Sequence, residues 1–136
     1  MTKFTGGCLC GAVRYAVDGD IVRMARCHCD DCRHGSGSAF AVNVFVPADA
    51  FKLTGNVAQY QNQTNAGNTM TRFFCPTCGS PVYGFSSANS GVRAIRAGSI
   101  DDPGFVKPTV EVFTKRALAC TVVDPGTKKF DEGVTG

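Results

Sequence analysis

Hydrophobic and polar positions alternate along much of this chain with a period of two residues. In the segment 11–19, Val13, Tyr15 and Val17 alternate with small or charged residues up to a turn at Asp18–Gly19. Alternation of this kind is typical of a β-strand that buries one face. The segment is therefore predicted to be a strand that ends in a turn.

The same alternation predicts strands along most of the remaining chain. They are expected at 38–46, 51–55, 57–63, 69–74, 81–86, 92–100 and 109–114. The segments 51–55 and 57–63 are expected to pair with each other around Gly55–Asn56. Short helical turns are expected at 31–34, 48–50 and 99–102. Because no segment shows the period of a long amphipathic helix, the chain is predicted to be mainly β with irregular loops.

Length and charge narrow the class of protein. A chain of 136 residues is expected to form a single domain, 1–136, with an ordered core over about 5–130 and a frayed tail. A net charge of +3 gives no electrostatic case for a nucleic-acid partner. No run of apolar residues is long enough for a membrane span. The N-terminal sequence MTKFTGGCLC lacks the apolar region of a signal peptide, so a cytoplasmic location is expected.

Seven of the eight cysteines fall into three clusters, and Cys120 stands alone. The clusters are Cys8-x-Cys10, Cys27-x-Cys29-x-x-Cys32 and Cys75-x-x-Cys78. In a reducing compartment, clustered cysteines bind metal more often than they form disulfides, so zinc is favoured.

The segment FCPTCGSP, residues 74–81, has the form of a zinc knuckle. Gly79 follows its second cysteine and is expected to take a backbone conformation that side chains resist. The knuckle supplies two ligands, and the glycine-flanked pair Cys8 and Cys10 is free to supply two more. These four thiolates would form a closed site, which is the structural type.

Cys27, Cys29 and Cys32 then remain as a set of three ligands. Three protein ligands and one exchangeable position are typical of a catalytic zinc. His28, His34 or Cys120 are alternative fourth ligands that would close this site. The ring of His28 is expected to turn away because the residue lies between two ligands, and Cys120 is expected to be a small buried hydrophobic residue.

Four segments together resemble the glutathione-dependent formaldehyde-activating (GFA) enzyme family. They are GGCLCGAVRYAV, CHCDDCRHGSGSAF, FFCPTCGSPVY and AGSIDDP…KPTVEVF. The resemblance implies a β-tent fold of small, coiled, antiparallel sheets. It also implies a structural zinc on Cys8, Cys10, Cys75 and Cys78 and a second zinc on Cys27, Cys29 and Cys32. The implied activity is that of a carbon–sulfur lyase, which joins glutathione and formaldehyde into S-(hydroxymethyl)glutathione.

Substrate binding is expected near the three-cysteine set. Arg33, Gly35 and Ser36 are the candidate substrate-binding residues, because a guanidinium and the amides of a Gly-Ser loop can receive carboxylates. Asp30 and Asp31 are expected to be solvated acids rather than a catalytic base. Arg72, Arg93 and Arg96 are expected to be charges on strand surfaces.

Two other functions fit the same cysteine pattern. The chain could be a zinc-stabilised binding module without chemistry, or a lyase that acts on a different thiol adduct. Solvent access to the three-cysteine set separates a module from an enzyme. A thiol redox protein that uses Cys29-x-x-Cys32 is a weaker alternative, because the βαβ pattern that accompanies that motif is missing.

Overall fold

The computed structural model describes residues 2–134, and this part of the chain is mainly β. Its strands are β1 (Thr2–Gly7), β2 (Arg14–Gly19), β3 (Arg23–Cys27), β4 (Ala41–Pro47), β5 (Phe51–Thr54), β6 (Ala58–Gln63), β7 (Thr69–Phe74), β8 (Pro81–Ser86), β9 (Val92–Arg96), β10 (Val110–Val112) and β11 (Lys128–Lys129). A single α-helix in the described residues, α1, covers Asp30–Ser36, and short 3₁₀ turns lie at Ala48–Ala50, Ser87–Asn89, Ala97–Ser99, Pro103–Phe105 and Thr114–Arg116. The predicted mainly β class is therefore confirmed.

The strands form a small sheet and a large sheet. The small sheet has three antiparallel strands in the order β1-β2-β5. The large sheet has eight strands in the order β11-β10-β3-β4-β9-β8-β7-β6. Its pairs are antiparallel, as expected, except that β10 runs parallel to both β3 and β11. A parallel pair needs a long crossover, and most of the chain lies between β3 and β10.

The predicted hairpin of 51–55 with 57–63 is wrong. Strand β5 pairs with β2 in the small sheet, whereas β6 pairs with β7 in the large sheet. Gly55, between β5 and β6, has a φ of +92°, and a Cβ there would lie 2.1 Å from the carbonyl oxygen of Ala12. The turn at Gly55 therefore carries the chain from one sheet to the other.

The main hydrophobic core takes side chains from both sheets. Val13, Tyr15 and Val17 are buried, as their alternation predicts, and they share the core with Val46 of β4 and Ile95 of β9. Cys8 and Cys75 lie in the same core, whereas Cys78 is half-buried and Cys10 is exposed. Within residues 2–134, no helix combines the length and the hydropathy needed to cross a bilayer.

The C-terminal segment is attached to β10 and the turn that follows it. The backbone N–H of Phe113 donates to the carbonyl oxygen of Glu132 at 2.9 Å, and the N–H of Phe130 donates to that of Glu111 at 2.9 Å. The predicted frayed tail begins near residue 131, and its last two residues, 135–136, lie outside the described residues.

Candidate metal centre

Cys75 and Cys78 lie on the turn between β7 and β8 of the large sheet. The N–H of Gly79 donates to the carbonyl oxygen of Cys75 at 2.8 Å, and Gly79 has a φ of +77°. This left-handed conformation is the one predicted for the glycine of a zinc knuckle. The N–H groups of Thr77 and Cys78 donate to the sulfur of Cys75 at 3.4 and 3.5 Å.

Cys8 and Cys10 lie on the turn between β1 and β2 of the small sheet. The N–H of Cys8 donates to the carbonyl oxygen of Val13 at 3.0 Å, and Gly11 takes a φ of +84° within the turn. The N–H of Val13 donates in return to the sulfur of Cys8 at 3.2 Å. Backbone donors of this kind stabilise a thiolate, so the turn is suited to a metal-ligating cysteine.

These two turns bring four sulfur atoms together. The sulfurs of Cys8, Cys10, Cys75 and Cys78 all lie within 4.8 Å of one another. The sulfur of Cys10 is 3.6 Å from the sulfur of Cys8 and 3.8 Å from the sulfur of Cys75. Four sulfurs at about 2.3 Å from a zinc ion would be about 3.8 Å apart, so the group fits tetrahedral zinc. An ion held here would join the two sheets.

Hydrogen bonds lower the pKa of two of these thiols. The Ser80 side chain, with the N–H groups of Ser80 and Cys10, lowers the pKa of Cys78 to about 5. The N–H of Val13 lowers the pKa of Cys8 below its ordinary value. Although the N–H of Ala12 lowers it, contact with Cys8 raises the pKa of Cys10, to about 11 overall. Because metal binding requires deprotonated ligands, Cys78 and Cys8 are the members of the group that lose their protons most readily.

The three remaining clustered cysteines meet at the junction of β3 and α1. Cys27 ends β3, Cys29 is the N-cap of α1, and Cys32 lies in the first turn of the helix. Their sulfurs lie within 4.8 Å of one another, and the N–H of Cys32 donates to the sulfur of Cys29 at 3.3 Å. Among residues 2–134, no fourth cysteine, histidine or acidic side chain brings a ligand atom into this group. The group fits a metal ion that keeps one position for another ligand.

Burial and crowding distinguish the three thiols. Cys27 and Cys32 are buried, whereas Cys29 is half-buried and reaches the surface. Hydrogen bonds from Cys27 and Cys32 lower the pKa of Cys29, and the contact with Cys29 raises the pKa of Cys27. Cys29 is therefore the first of the three to carry a negative charge.

The alternative fourth ligands lie elsewhere in the structure. Nε2 of His28 is 2.8 Å from Oε1 of Glu111, so the ring turns away from the sulfurs, as predicted. His34 is exposed on α1 and is absent from the sulfur group. Cys120 is also outside the group, and it is exposed, so the prediction that it is buried is wrong. Cys120 lies in a loop whose hydrophobic residues, Leu118 and Val122, are exposed as well, so the hydrophobic character of this segment does not indicate burial.

A cavity of about 220 Å³ lies beside α1, on the side of the large sheet. It is lined by Gly35, Tyr60, Arg72, Phe73, Phe74, Gly79, Pro81, Tyr83 and Arg96. Burial lowers the pKa of Arg96 below its ordinary value. The nearby Cys32, Cys27 and Cys29 act in the opposite direction, which places Arg96 close to the three-cysteine group. Through Arg96, and through Gly35 of α1, the cavity adjoins the three-cysteine group, although no cysteine is in its lining. A larger cavity, of about 600 Å³, lies against the small sheet and has neither a residue of α1 nor a cysteine in its lining.

The prediction that Arg96 is a surface charge is wrong. Only 9% of Arg96 is exposed, and its Nη1 donates to Oδ1 of Asn43 on β4. The last three residues of β9, Ala94, Ile95 and Arg96, are all buried, and because successive side chains point to opposite faces of a sheet, this end of the strand is covered on both faces. The only indication of this burial in the local sequence was that Arg96 follows Ala94 and Ile95 and precedes Ala97 in the segment VRAIRAGSI.

The structure separates the three candidate substrate-binding residues. Gly35 lines the cavity, whereas Arg33 pairs with Asp30 at 3.2 Å. Ser36 accepts the N–H of Ser38 at 3.2 Å through its hydroxyl. The N–H of Gly37 is also engaged, since it donates to the carbonyl oxygen of Arg33 and ends the helix. Substrate binding by Arg33, Gly35 and Ser36 stays a prediction.

Comparison with known proteins identifies relatives that are named as a lyase and as a formaldehyde-activating enzyme. A Schizosaccharomyces pombe protein named as an uncharacterized lyase is 28% identical over 83 residues, which are 61% of this chain and 58% of the relative. A Penicillium rubens protein, assigned by name to the glutathione-dependent formaldehyde-activating enzymes, is 25% identical over 140 aligned positions, which are 96% of this chain and 70% of the relative. The chain thus spans little more than half the length of the fission yeast relative.

A solved structure shares the fold. The crystal structure of a Rhodobacter sphaeroides protein matches with a TM-score of 0.58 at 22% identity, over 71% of this chain and 87% of that one. The model of the family described as glutathione-dependent formaldehyde-activating enzyme matches residues 3–116, which include all seven clustered cysteines. This chain therefore belongs to the glutathione-dependent formaldehyde-activating enzyme family.

Proposed function

We propose that this chain is a zinc-dependent carbon–sulfur lyase that joins glutathione and formaldehyde into S-(hydroxymethyl)glutathione. The observation that carries this proposal is the three-cysteine group, which lacks a fourth protein ligand among the described residues and adjoins a cavity. Membership of the family and the names of the relatives support the same chemistry.

Two zinc ions per chain are proposed, with different roles. Cys8, Cys10, Cys75 and Cys78 would hold the structural ion between the two sheets. The second ion, held by Cys27, Cys29 and Cys32, would keep one exchangeable position at which a substrate thiol is bound as a thiolate near neutral pH.

Hydrophobic residues pack against the three-cysteine group from β4 and from the β10 side. Ala41 packs against Cys27 and Cys32 from β4, and Val112 and Phe113 cover the group from the β10 side. Phe113 has a φ of +56°, which is unusual for a residue with a side chain. These contacts limit the access of water and leave the half-buried Cys29 as the side from which a substrate can approach.

The proposed reaction is an addition, and it needs no oxidant or reductant. The sulfur of glutathione forms a bond to the carbonyl carbon of formaldehyde, the C=O π bond breaks, and the carbonyl oxygen takes up a proton. Thiols add to formaldehyde unaided in water, so the protein contributes mainly by holding the two reactants together.

Neither acidic residue of α1 is well placed to act as a general base. Asp30 is paired with Arg116 at 2.6 Å and with Arg33, and these contacts lower the pKa of its carboxyl group. A carboxylate of low pKa accepts protons poorly at neutral pH. Asp31 accepts a hydrogen bond from Asn62 at 3.1 Å. We therefore assign neither residue to proton transfer.

A non-catalytic zinc module is the second candidate, and access to Cys29 separates it from an enzyme. A module needs closed metal sites only, whereas Cys29 is half-buried and a cavity lies beside its cluster. A lyase that acts on another thiol adduct would use the same residues.

Exchange spectroscopy tests the proposal directly. In a mixture of ¹³C-formaldehyde and glutathione at equilibrium, NMR measures the rate of exchange between free aldehyde and adduct. We expect the rate to rise with protein concentration, to fall to the uncatalysed value with Cys29→Ser, and to be unaffected by Cys120→Ser. A rate that is the same with and without the wild-type protein would contradict the proposed activity.

A further inference from the structure

Two arginines share the cavity beside the three-cysteine group without an acidic partner. Nε of Arg72 donates to Oδ1 of Asn62 at 3.0 Å, and Nη1 of Arg96 donates to Oδ1 of Asn43. Both partners are neutral amides. Within residues 2–134, the other arginines near this group, Arg33 among them, form ion pairs, whereas Arg72 and Arg96 form none.

One donor of Arg72 is buried and unused. Its Nη1 is shielded from solvent and has no hydrogen-bond partner in the described residues. A Cβ on Gly35 would lie 3.3 Å from this atom, which is a tight contact, so the glycine at position 35 avoids crowding the guanidinium group. A buried, charged donor without a partner is unfavourable by itself. The arrangement is therefore suited to an anionic acceptor that enters the cavity.

The charges around the cavity also leave one cation unbalanced. Burial lowers the pKa of Arg96, and the positive charge of Arg72 lowers it further, because the two guanidinium groups are close enough to repel each other. With a divalent ion bound, the thiolates of Cys27, Cys29 and Cys32 would carry a net charge of −1, which would balance one of the two arginines. An anion from solution would balance the other.

We propose that Arg72 and Arg96 receive a carboxylate of the substrate, and that the site is thereby specific for small thiols that carry a carboxylate. This inference rests on the proposed function, because it places the carboxylate of the same molecule whose sulfur reaches the three-cysteine group. A guanidinium presents paired N–H groups that match the two oxygens of a carboxylate. Tyr60, Phe73 and Tyr83 add apolar walls to the same cavity.

Calorimetric titration of the zinc-containing protein with matched thiols tests the proposal. Glutathione carries a free thiol and two carboxylates, and its diethyl ester keeps the thiol but masks both carboxylates. We expect the wild-type protein to bind glutathione at least about tenfold more tightly than the ester. Equal affinities would overturn the proposal, and this comparison requires no variant.

Substitution of Arg72 then assigns the effect to the cavity. Arg72→Gln should weaken glutathione binding about ten- to a hundredfold and leave the affinity for the ester unchanged. Arg72→Lys keeps the charge and should recover part of the loss. The matched control is Arg93→Gln, since Arg93 is a strand arginine of the same sheet, on β9, but stacks over Phe85 at 4.2 Å, outside the cavity lining. Unchanged glutathione affinity in a folded Arg72→Gln protein, or equal losses for both thiols, would overturn the proposal.

S-methylglutathione separates this inference from the proposed function. It retains both carboxylates but cannot form a thiolate. If it binds the wild-type protein as tightly as glutathione does and its binding depends on Arg72, the carboxylate site stands and the thiol site fails. If glutathione and its ester bind equally and far more tightly than S-methylglutathione, the thiol site stands and the carboxylate site fails.

Discussion

Nε2 of His28 lies 2.8 Å from Oε1 of Glu111, and both side chains are completely buried. The other carboxylate oxygen of Glu111 accepts the Thr127 hydroxyl at 2.6 Å and the N–H of Asp124 at 3.0 Å. Burial raises the pKa of Glu111, but the hydrogen bonds from Thr127 and His28, with the charge of Arg26, lower it below its ordinary value. An ionised Glu111 on β10 therefore connects His28, which lies between Cys27 and Cys29, to the C-terminal segment.

Removal of Glu111 should strongly destabilise the fold. Glu111→Ala removes the acceptor of the buried His28 ring, one of the two acceptors of the Thr127 hydroxyl, and the carboxylate beside Arg26, which should lower the free energy of unfolding by roughly 3–5 kcal/mol. Urea denaturation of the metal-loaded protein measures the change. Glu132→Ala is the control, because the Lys115–Glu132 pair is exposed and should contribute at most about 1 kcal/mol. Similar losses in the two variants would contradict the role assigned to Glu111.

The two cysteine groups should respond differently to the loss of a ligand. Metal binding to a closed cysteine site contributes roughly 10–16 kcal/mol in zinc peptides, whereas a domain is stable by only about 5–15 kcal/mol. Cys78→Ser should therefore unfold or aggregate the protein. Cys32→Ser should leave it folded with one zinc fewer, as measured by thermal melting and metal analysis. Equal collapse of both variants would count against an open second site.

Cys120 should be dispensable for metal binding. Because its side chain is exposed and lies outside both sulfur groups, Cys120→Val should keep the full zinc content. The free energy of unfolding should change by no more than about 0.5 kcal/mol, as is usual for surface positions. Loss of one metal equivalent in this variant would make Cys120 a ligand and require a different partition of the cysteines.

The sequence predicted which segments are strands better than it predicted which strands pair with each other. Val13, Tyr15 and Val17 are buried because alternation reports directly which face of a strand is covered. The segments on either side of Gly55 are both strands, but they belong to different sheets. Two consecutive strands pair when the turn between them folds back, and at Gly55 a close approach to Ala12 decides the path instead. That approach is a tertiary contact, which the local pattern does not contain.

For the candidate site, too, the sequence predicted features set by local spacing and missed those that depend on contacts between distant segments. The spacing of the cysteines predicted two groups, and the structure brings together the sulfurs of both. The cavity was missed, because Arg72 and Arg96 reach it from β7 and β9, which are far from the cysteines in sequence. Strand β10 pairs in parallel with β3, which is far away in sequence, and no local sequence pattern predicts this pairing. The partner of His28, Glu111, was missed for that reason.

The central claim is that the ion held by Cys27, Cys29 and Cys32 accepts the thiol of glutathione. Zinc is spectroscopically silent, so the measurement is a titration of glutathione into the Co²⁺-substituted protein, followed through its visible and charge-transfer bands. We predict a saturable spectral change that S-methylglutathione produces far more weakly, because a thioether is a poor donor to a borderline cation. The change should be lost in Cys29→Ser while the bands of the four-cysteine site remain. A spectrum that does not move at saturating glutathione, or that moves equally with the methylated compound, would contradict the account.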